Sequence, residues 1–140
     1  MTFTAAADPL IDTLLATITP PSGWAKVATK APPAKYEPNK VYCWALRQTP
    51  INVNTGDVVE LAFFLRLAWS VGTDEEQGQV RLTATSDAID NGLATVLTAV
   101  AANRTSAVWE WIQVDNTDPQ AIVTFQERAG WADLSGYRLV

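Results

Sequence analysis

Strict alternation of apolar residues from Val59 to Val71 constrains the fold of this chain more than any other feature of its sequence. Every second residue in this stretch is apolar, while Glu60, Arg66 and Ser70 lie among the intervening positions. Side chains alternate between the two faces of a β-strand, so the pattern predicts a long strand with one buried face. Phe64 on the other face predicts that this face is partly covered as well.

Turn-forming residues and a second apolar run predict a partner for this strand. Val41 to Arg47 is apolar at both sets of alternating positions, which predicts a strand covered on both faces and ended by Thr49-Pro50. Asn54-Thr55-Gly56-Asp57 contains residues that tolerate positive φ angles, so it predicts a hairpin turn. Further strands are predicted at Val108 to Asp115, at Ala121 to Gln126, and at Trp131 to Val140 with an interruption at Ser135-Gly136.

Two segments have the start signals and the periodicity of helices. Asp8-Pro9 predicts an N-cap and a first helical position, and apolar residues at helical spacing follow up to Ile18 or Thr19. Thr73 to Glu76 matches the capping box, in which a threonine is followed three residues later by a glutamate. An apolar stripe then predicts a helix that includes Ser86 to Ala102.

The order of these elements predicts one α+β domain over residues 1–140. We expect one mainly antiparallel sheet of four to five strands packed with two helices. Residues 1–19 are expected to form the N-terminal helix, 20–40 a long, extended, proline-rich arm, and 41–140 the sheet and main helix. A chain of 140 residues is long enough to bury a core without a disulfide or a metal ion.

Charge is distributed unevenly along the chain. All lysines lie between Lys26 and Lys40, and residues 1–50 have five basic and three acidic side chains, a net charge of +2. Residues 51–140 have five arginines and twelve acidic side chains, a net charge of −7. A basic arm on an acidic body suits complementary contacts between protein subunits better than broad contact with a phosphate backbone. Specific DNA binding is therefore not expected.

The sequence has no arrangement of residues typical of a catalytic centre. It contains no histidine, which removes the commonest general base and the commonest metal ligand. Cys43 lies within an apolar strand and is interpreted as an inert buried thiol. Asp87 and Asp90 lie one helical turn apart, but a solvated helix face explains them as well as a shared cation does. We therefore predict a protein that is not an enzyme, without catalytic, metal-binding or cofactor-binding residues.

The tryptophans are unusually numerous, with six in a chain of this length. Trp44 and Trp69 alternate with core-type residues and are interpreted as core. Trp109 and Trp111 are predicted on one face of their strand with Glu110 on the other, and their role stays open between a subunit interface and core packing. The predicted subunit or partner interface comprises Trp24, Lys26, Lys30, Lys35, Tyr36, Trp109, Glu110 and Trp111.

The sequence indicates neither a secretion signal nor a membrane segment. Residues 1–10 lack the basic region and the long apolar stretch of a signal peptide. No segment is apolar for long enough to span a bilayer, so no membrane partner is expected. Cys43 is the single cysteine, which excludes an internal disulfide and predicts a reducing compartment.

The predicted helices and strands follow one another in an order that can be traced over most of the chain. A short helix and a long loop precede a strand pair that includes Glu60 to Leu67, and a capped helix precedes closing strands with Trp109 to Ile112 and Gly136 to Leu139. This arrangement resembles the tail-terminator proteins of long-tailed bacteriophages. The resemblance implies a structural virion protein, assembled in the host cytoplasm, that forms a homo-hexameric ring on the last disc of the tail tube. Such a ring stops tube polymerisation, meets the head connector, and lets DNA pass through its centre without specific binding.

The resemblance also suggests a place for the acidic residues after the long strand. Asp74, Glu75 and Glu76 are hypothesised to face the lumen of the ring or a neighbouring ring, where negative charge would repel passing DNA. Other phage neck, tail-completion and head-closure proteins are similar in size and remain alternatives. Two other classes also remain: a small-ligand-binding module with polar groups in an apolar pocket, and a carboxylate-based hydrolase with two acids facing one cleft.

Overall fold

The computed structural model describes residues 6–28, 31–72, 78–119, 121 and 128–140. The predicted α+β class is confirmed, with five strands and two helices among these residues. In chain order they are α1 Asp8–Ala16, β1 Ala25–Ala28, β2 Lys40–Asn54, β3 Asp57–Gly72, α2 Gly78–Ala102, β4 Trp111–Asp118 and β5 Arg128–Leu139.

The described strands form one sheet in the order β1-β2-β3-β5-β4. The pairs β2–β3, β3–β5 and β5–β4 are antiparallel, as predicted. The edge strand β1 is parallel to β2 and pairs only with Lys40 to Cys43, so the sheet is mixed. A parallel neighbour requires a crossover connection, and the segment between Ala28 and Lys40 supplies it.

The long strand predicted from the alternating pattern is β3, which lies in the middle of the sheet. Five of its odd-numbered residues are at most 1% exposed, and all of them except Leu61 belong to the main core with residues of α1 and α2. This group comprises Leu61, Phe63, Leu65, Leu67 and Trp69. One face of β3 is therefore buried under the helices, as the sequence pattern predicted.

The predicted hairpin turn is confirmed between β2 and β3. Thr55 and Gly56 have φ angles of 53° and 83°, the left-handed backbone of a two-residue turn that matches the twist of a hairpin. The prediction that Thr49-Pro50 ends the strand is wrong, because β2 continues to Asn54. Register shifts on both sides of Thr49 and Pro50 accommodate a residue that cannot donate a backbone hydrogen bond.

The remaining predicted boundaries are partly correct. Helix α2 contains the predicted Ser86 to Ala102, but α1 has Ala7 rather than Asp8 as its N-cap and makes no side-chain cap hydrogen bond. Strand β5 is not interrupted at Ser135-Gly136, since Gly136 pairs with both neighbouring strands where a side chain would overlap the Trp111 carbonyl. Thr73 to Glu76 lies outside the described residues, as does the strand predicted after Ala121.

The arm predicted over residues 20–40 is extended only in part. Besides forming β1, it packs aromatic side chains on the domain: Trp24 lies against Trp69, with ring centroids 4.9 Å apart, and Tyr36 is buried. The Ser70 hydroxyl donates to the Glu37 carbonyl at 2.8 Å, and the Tyr42 hydroxyl accepts from the Glu37 amide at 3.1 Å. Burial of aromatic rings and these hydrogen bonds hold the segment against the sheet.

Candidate functional site

The sheet face opposite the helices, termed the open face, is only partly covered. Near the start of β2 it has a small second core made of Tyr36, Tyr42, Trp44, Ala68 and Ala129. Farther towards the hairpin turn, a row of paired residues crosses the four antiparallel strands: Thr49, Ala62, Tyr137 and Trp111. Tyr137 and Trp111 are both exposed in this row. The open face is therefore the part of the described fold with the most accessible aromatic surface.

A cross-strand ion pair lies in the middle of the open face. Arg66 Nε and Nη2 donate to the two carboxylate oxygens of Asp133 at 2.7 and 3.1 Å. The hydrogen bond that Arg66 donates to Asp133 raises the pKa of Arg66 above its ordinary value. The Arg66 guanidinium also lies 4.3 Å from the centre of the Trp131 ring. Because Asp133 already pairs with the Arg66 guanidinium, Arg66 holds β3 and β5 together and is not available to bind an anion of another molecule.

Towards the two edges of the sheet, the open face carries charges that are less completely satisfied. On β2, the Arg47 guanidinium lies 3.9 Å from the centre of the Phe64 ring and forms no ion pair with any described residue. On β4, Asp115 Oδ1 accepts from the Ser135 hydroxyl at 2.9 Å and from Gln113 Nε2 at 2.8 Å. Both Arg47 and Asp115 are exposed. A cation on one edge that lacks a carboxylate partner among the described residues, and a carboxylate on the other edge, suit binding between molecules.

Exposed apolar side chains gather at the hairpin end of the sheet. The register places the end of β2, the start of β3, the end of β5 and the start of β4 in this order across that end, and Leu139 of β5 is 58% exposed. We define the hairpin-end patch as Ile51, Val53, Trp111, Tyr137, Leu139 and Val140. Large exposed apolar patches on a protein surface often mark sites of interaction with another protein.

The structure separates the residues that the sequence grouped into one interface. Lys35, Glu110 and Trp111 are exposed, whereas Tyr36 and Trp109 are buried in the two cores. Trp24 is half-buried against Trp69, and Lys30 lies outside the described residues together with Asp74, Glu75 and Glu76.

The structure adds to one of these assignments and corrects another. Lys26 is exposed, and its Nζ donates to the carbonyls of Leu15 and Ile18 at 2.8 and 3.2 Å, so it also caps the C-terminal end of α1 within its own chain. Trp109 and Trp111 do not share a strand face, because β4 begins only at Trp111 and Trp109 lies in the bend before it. Trp109 Nε1 donates to the Asn103 carbonyl at 3.1 Å.

Sequence reasoning missed Arg47, Asp115 and most of the hairpin-end patch. Ile51 and Val53 alternate with polar residues beside the turn, which could have indicated an exposed apolar strand end. The proximity of Leu139 to these residues follows only from the pairing of β5 with β3.

Cys43 is expected to be unreactive in the native protein, as the sequence predicted. It is fully buried, and burial raises the pKa of its thiol to about 12, so the nucleophilic thiolate is scarce at mildly alkaline pH. Titration with Ellman's reagent should label Cys43 only after denaturation. Rapid stoichiometric labelling of the folded protein would contradict this placement.

An uncharged cleft of about 400 Å³ lies between the segment after α1 and the side of α2. Its lining includes Trp24, Trp69 and two prolines, with Thr19, Asn91 and Thr95 as the polar side chains. The cleft has the size of a small-ligand pocket, and none of its described lining residues carries a charge to bind an ionic ligand.

Within the described ranges, no three His, Cys, Asp or Glu side chains lie close enough together to hold a metal ion. No helix among the described residues is long and apolar enough to cross a membrane. Neither the known protein-family models nor the curated proteins include a match to this chain.

Proposed function

We propose that this chain is a structural assembly protein of the tail-terminator type, which forms a ring and docks coaxially on another protein assembly. The observation that supports this proposal best is the hairpin-end patch, where residues from three strands leave large apolar side chains exposed at one end of one sheet. Exposed apolar and aromatic side chains favour burial against a protein partner, because removing them from water stabilises the complex.

A ring would turn this patch into a docking surface. Copies related by a rotation axis have the same orientation, so each copy presents its hairpin end on the same rim. Trp111 and Tyr137 from every copy would then form a circle of aromatic side chains. Aromatic side chains are frequent at the energetic centres of protein interfaces, which suits attachment to the flat end of a tube.

The proposed partners are other copies of the chain, the tail tube protein and the head connector, within a virion. DNA would only pass through the ring. The net charge of −5 supports this last role, because a negatively charged protein has little general attraction for a phosphate backbone. Asp74, Glu75 and Glu76 remain the hypothesised lumen or neighbouring-ring residues.

Light scattering after gel filtration, followed by electron microscopy, tests ring formation. We expect a concentration-dependent closed ring, because heterologous contacts that close by rotation give a single large species. A chain that stays monomeric at every concentration, in the presence and absence of tail tubes, would overturn the proposal.

Leu139→Glu is expected to abolish docking without unfolding the chain. Its side chain is 58% exposed, so a charge there disturbs no core contact but cannot be buried cheaply against an apolar partner. Added to polymerising tail tube protein, the wild type should limit tube length, and Leu139→Glu should leave the tubes long and uneven. Leu97→Glu is the matched control, since Leu97 is 46% exposed on α2 and lies outside the patch. Equal effects of the two variants would show that the patch is not the docking surface.

The uncharged cleft supports a second candidate, a module that binds a small neutral ligand. Its half-buried Trp24 and the amide of Asn91 provide a stacking surface and a hydrogen-bonding group. A thermal-shift screen with nucleosides and neutral sugars discriminates between the candidates, since a true ligand raises the melting temperature by mass action. No shift for the wild type would remove this candidate.

A further inference from the structure

Most of the outer edge of β2 has no neighbouring strand. Strand β1 pairs with Lys40 to Cys43 only, and in the described part of the chain no strand pairs with the outer edge of β2 from Trp44 to Asn54. An open edge presents backbone N–H and C=O groups that can pair with another chain. This stretch is therefore available for contact with a second molecule.

The opposite edge of the sheet is β4, and one part of it is already blocked. The Ile112 amide donates to the Arg104 carbonyl at 3.0 Å, and Arg104 Nη1 donates to the Ile112 carbonyl at 3.0 Å. No described strand covers the rest of this edge, from Gln113 to Asp118. Contact with another strand is thus possible over a limited length, which favours one register over many.

Strand directions allow these two edges to meet in a ring. Strands β2, β3, β5 and β4 alternate in direction, so β2 and β4 run antiparallel at the two sides of this four-stranded unit. A second copy in the same orientation places its β2 antiparallel to β4 of the first. The junction then repeats the pairing already present inside each copy, and it repeats identically around a rotation axis.

Charges at the two edges are complementary and lie at the same level of the sheet. The register aligns Arg47, Phe64, Ser135 and Gln113 in one row. Asp115 joins this row through its hydrogen bond from the Ser135 hydroxyl. Arg47 has no carboxylate partner among the described residues, and Asp115 Oδ2 accepts no hydrogen bond from them.

We infer that the ring forms by edge-to-edge contact of β2, at Trp44 to Arg47, with β4, at Gln113 to Asn116, of the next copy, and that Arg47 pairs with Asp115 across this junction. This inference rests on the proposed ring. To the proposed ring it adds the contact surface, the relative direction of the two strands, and the charge pair across the contact. The partner that these features select is a second copy of the same chain.

Charge exchange between Arg47 and Asp115 tests the junction. Arg47→Glu and Asp115→Lys should each raise the concentration for half-assembly by about tenfold or more, because each places like charges opposite each other. An equimolar mixture of the two variants should recover assembly, since every junction in an alternating ring then joins opposite charges. Asp12→Lys, which makes the same charge change as Asp115→Lys at an exposed position of α1, should assemble like the wild type.

Circular dichroism and melting temperature verify that each variant folds. If one variant fails to fold, disulfide trapping provides the second test: Arg47→Cys and Asp115→Cys are combined with Cys43→Ala, which removes the only native cysteine. Mild oxidation should give a ladder of covalent oligomers, and neither single-cysteine chain should exceed a dimer.

The outcomes separate this inference from the proposed function. A wild-type ring that survives both charge reversals unchanged and gives no covalent ladder would overturn the junction but leave the ring. A wild type that never forms a ring would overturn the proposed function and, with it, this inference.

Discussion

Replacement of Trp109 by alanine should lower the free energy of unfolding by about 4 kcal/mol, the range observed when a large buried aromatic side chain is removed. Trp109 is 2% exposed and lies in the main core, where its ring centroid is 6.5 Å from that of Phe63. Truncation would leave a cavity and remove the hydrogen bond to the Asn103 carbonyl. Urea denaturation followed by circular dichroism measures the loss.

Trp111→Ala is the matched control for this prediction. Trp111 is 39% exposed, and its ring contacts solvent and the Arg104 guanidinium, 5.2 Å from the ring centre. We expect a change in stability of about 1 kcal/mol or less, since little surface is uncovered. The same variant should weaken docking of the ring, because Trp111 belongs to the hairpin-end patch. Equal destabilisation by the two substitutions would contradict the placement of these tryptophans in different environments.

Gly92→Ala is expected to destabilise the protein, although alanine is the better helix former. Helix propensity alone predicts a gain of about 1 kcal/mol. However, Gly92 lies where α2 crosses Trp69, and an added Cβ would overlap the indole ring. Trp69 is 1% exposed and cannot move aside without disturbing the core. We therefore expect a net loss of about 2 kcal/mol, because overpacking costs up to about 3 kcal/mol and the propensity gain offsets only part of it.

Asn91→Ala is the control that separates the effect of helix propensity on stability from the effect of packing against Trp69. Asn91 precedes Gly92 on α2 and is exposed, so its replacement changes helix propensity without a steric clash. The expected result is a neutral to slightly stabilising effect of a few tenths of a kcal/mol. Thermal and urea unfolding of both variants give the comparison. A Gly92→Ala chain as stable as Asn91→Ala would show that α2 does not approach Trp69 closely.

The open edge of β2 has features that limit uncontrolled aggregation. Pro50 removes one donor, and the register shifts near Arg47 and Asn52 bend the strand. On the opposite edge, Arg104 already occupies the backbone groups of Ile112. Such irregular edges disfavour indefinite pairing of flat strands. In the proposed ring, the charged pair of Arg47 and Asp115 therefore selects the correct neighbour.

Local physical rules determine the features that sequence reasoning predicted correctly. The alternation from Val59 to Val71 predicts β3 because side chains point to opposite faces, and only one register buries every apolar member. The turn at Thr55-Gly56 follows from the low cost of positive φ for glycine. The inert character predicted for Cys43 agrees with its complete burial. Each of these depends on a short stretch of chain.

Tertiary structure decided which of several similar segments lie inside. Trp109 and Trp111 are the same residue type and lie on either side of Glu110. The chain bends before β4, so that Trp109 is buried while Trp111 is exposed. The hairpin-end patch joins residues of β2, β4 and β5, and the parallel pairing of β1 leaves most of β2 open. Contacts between distant segments depend on the packing of the whole domain, and no local pattern specifies them.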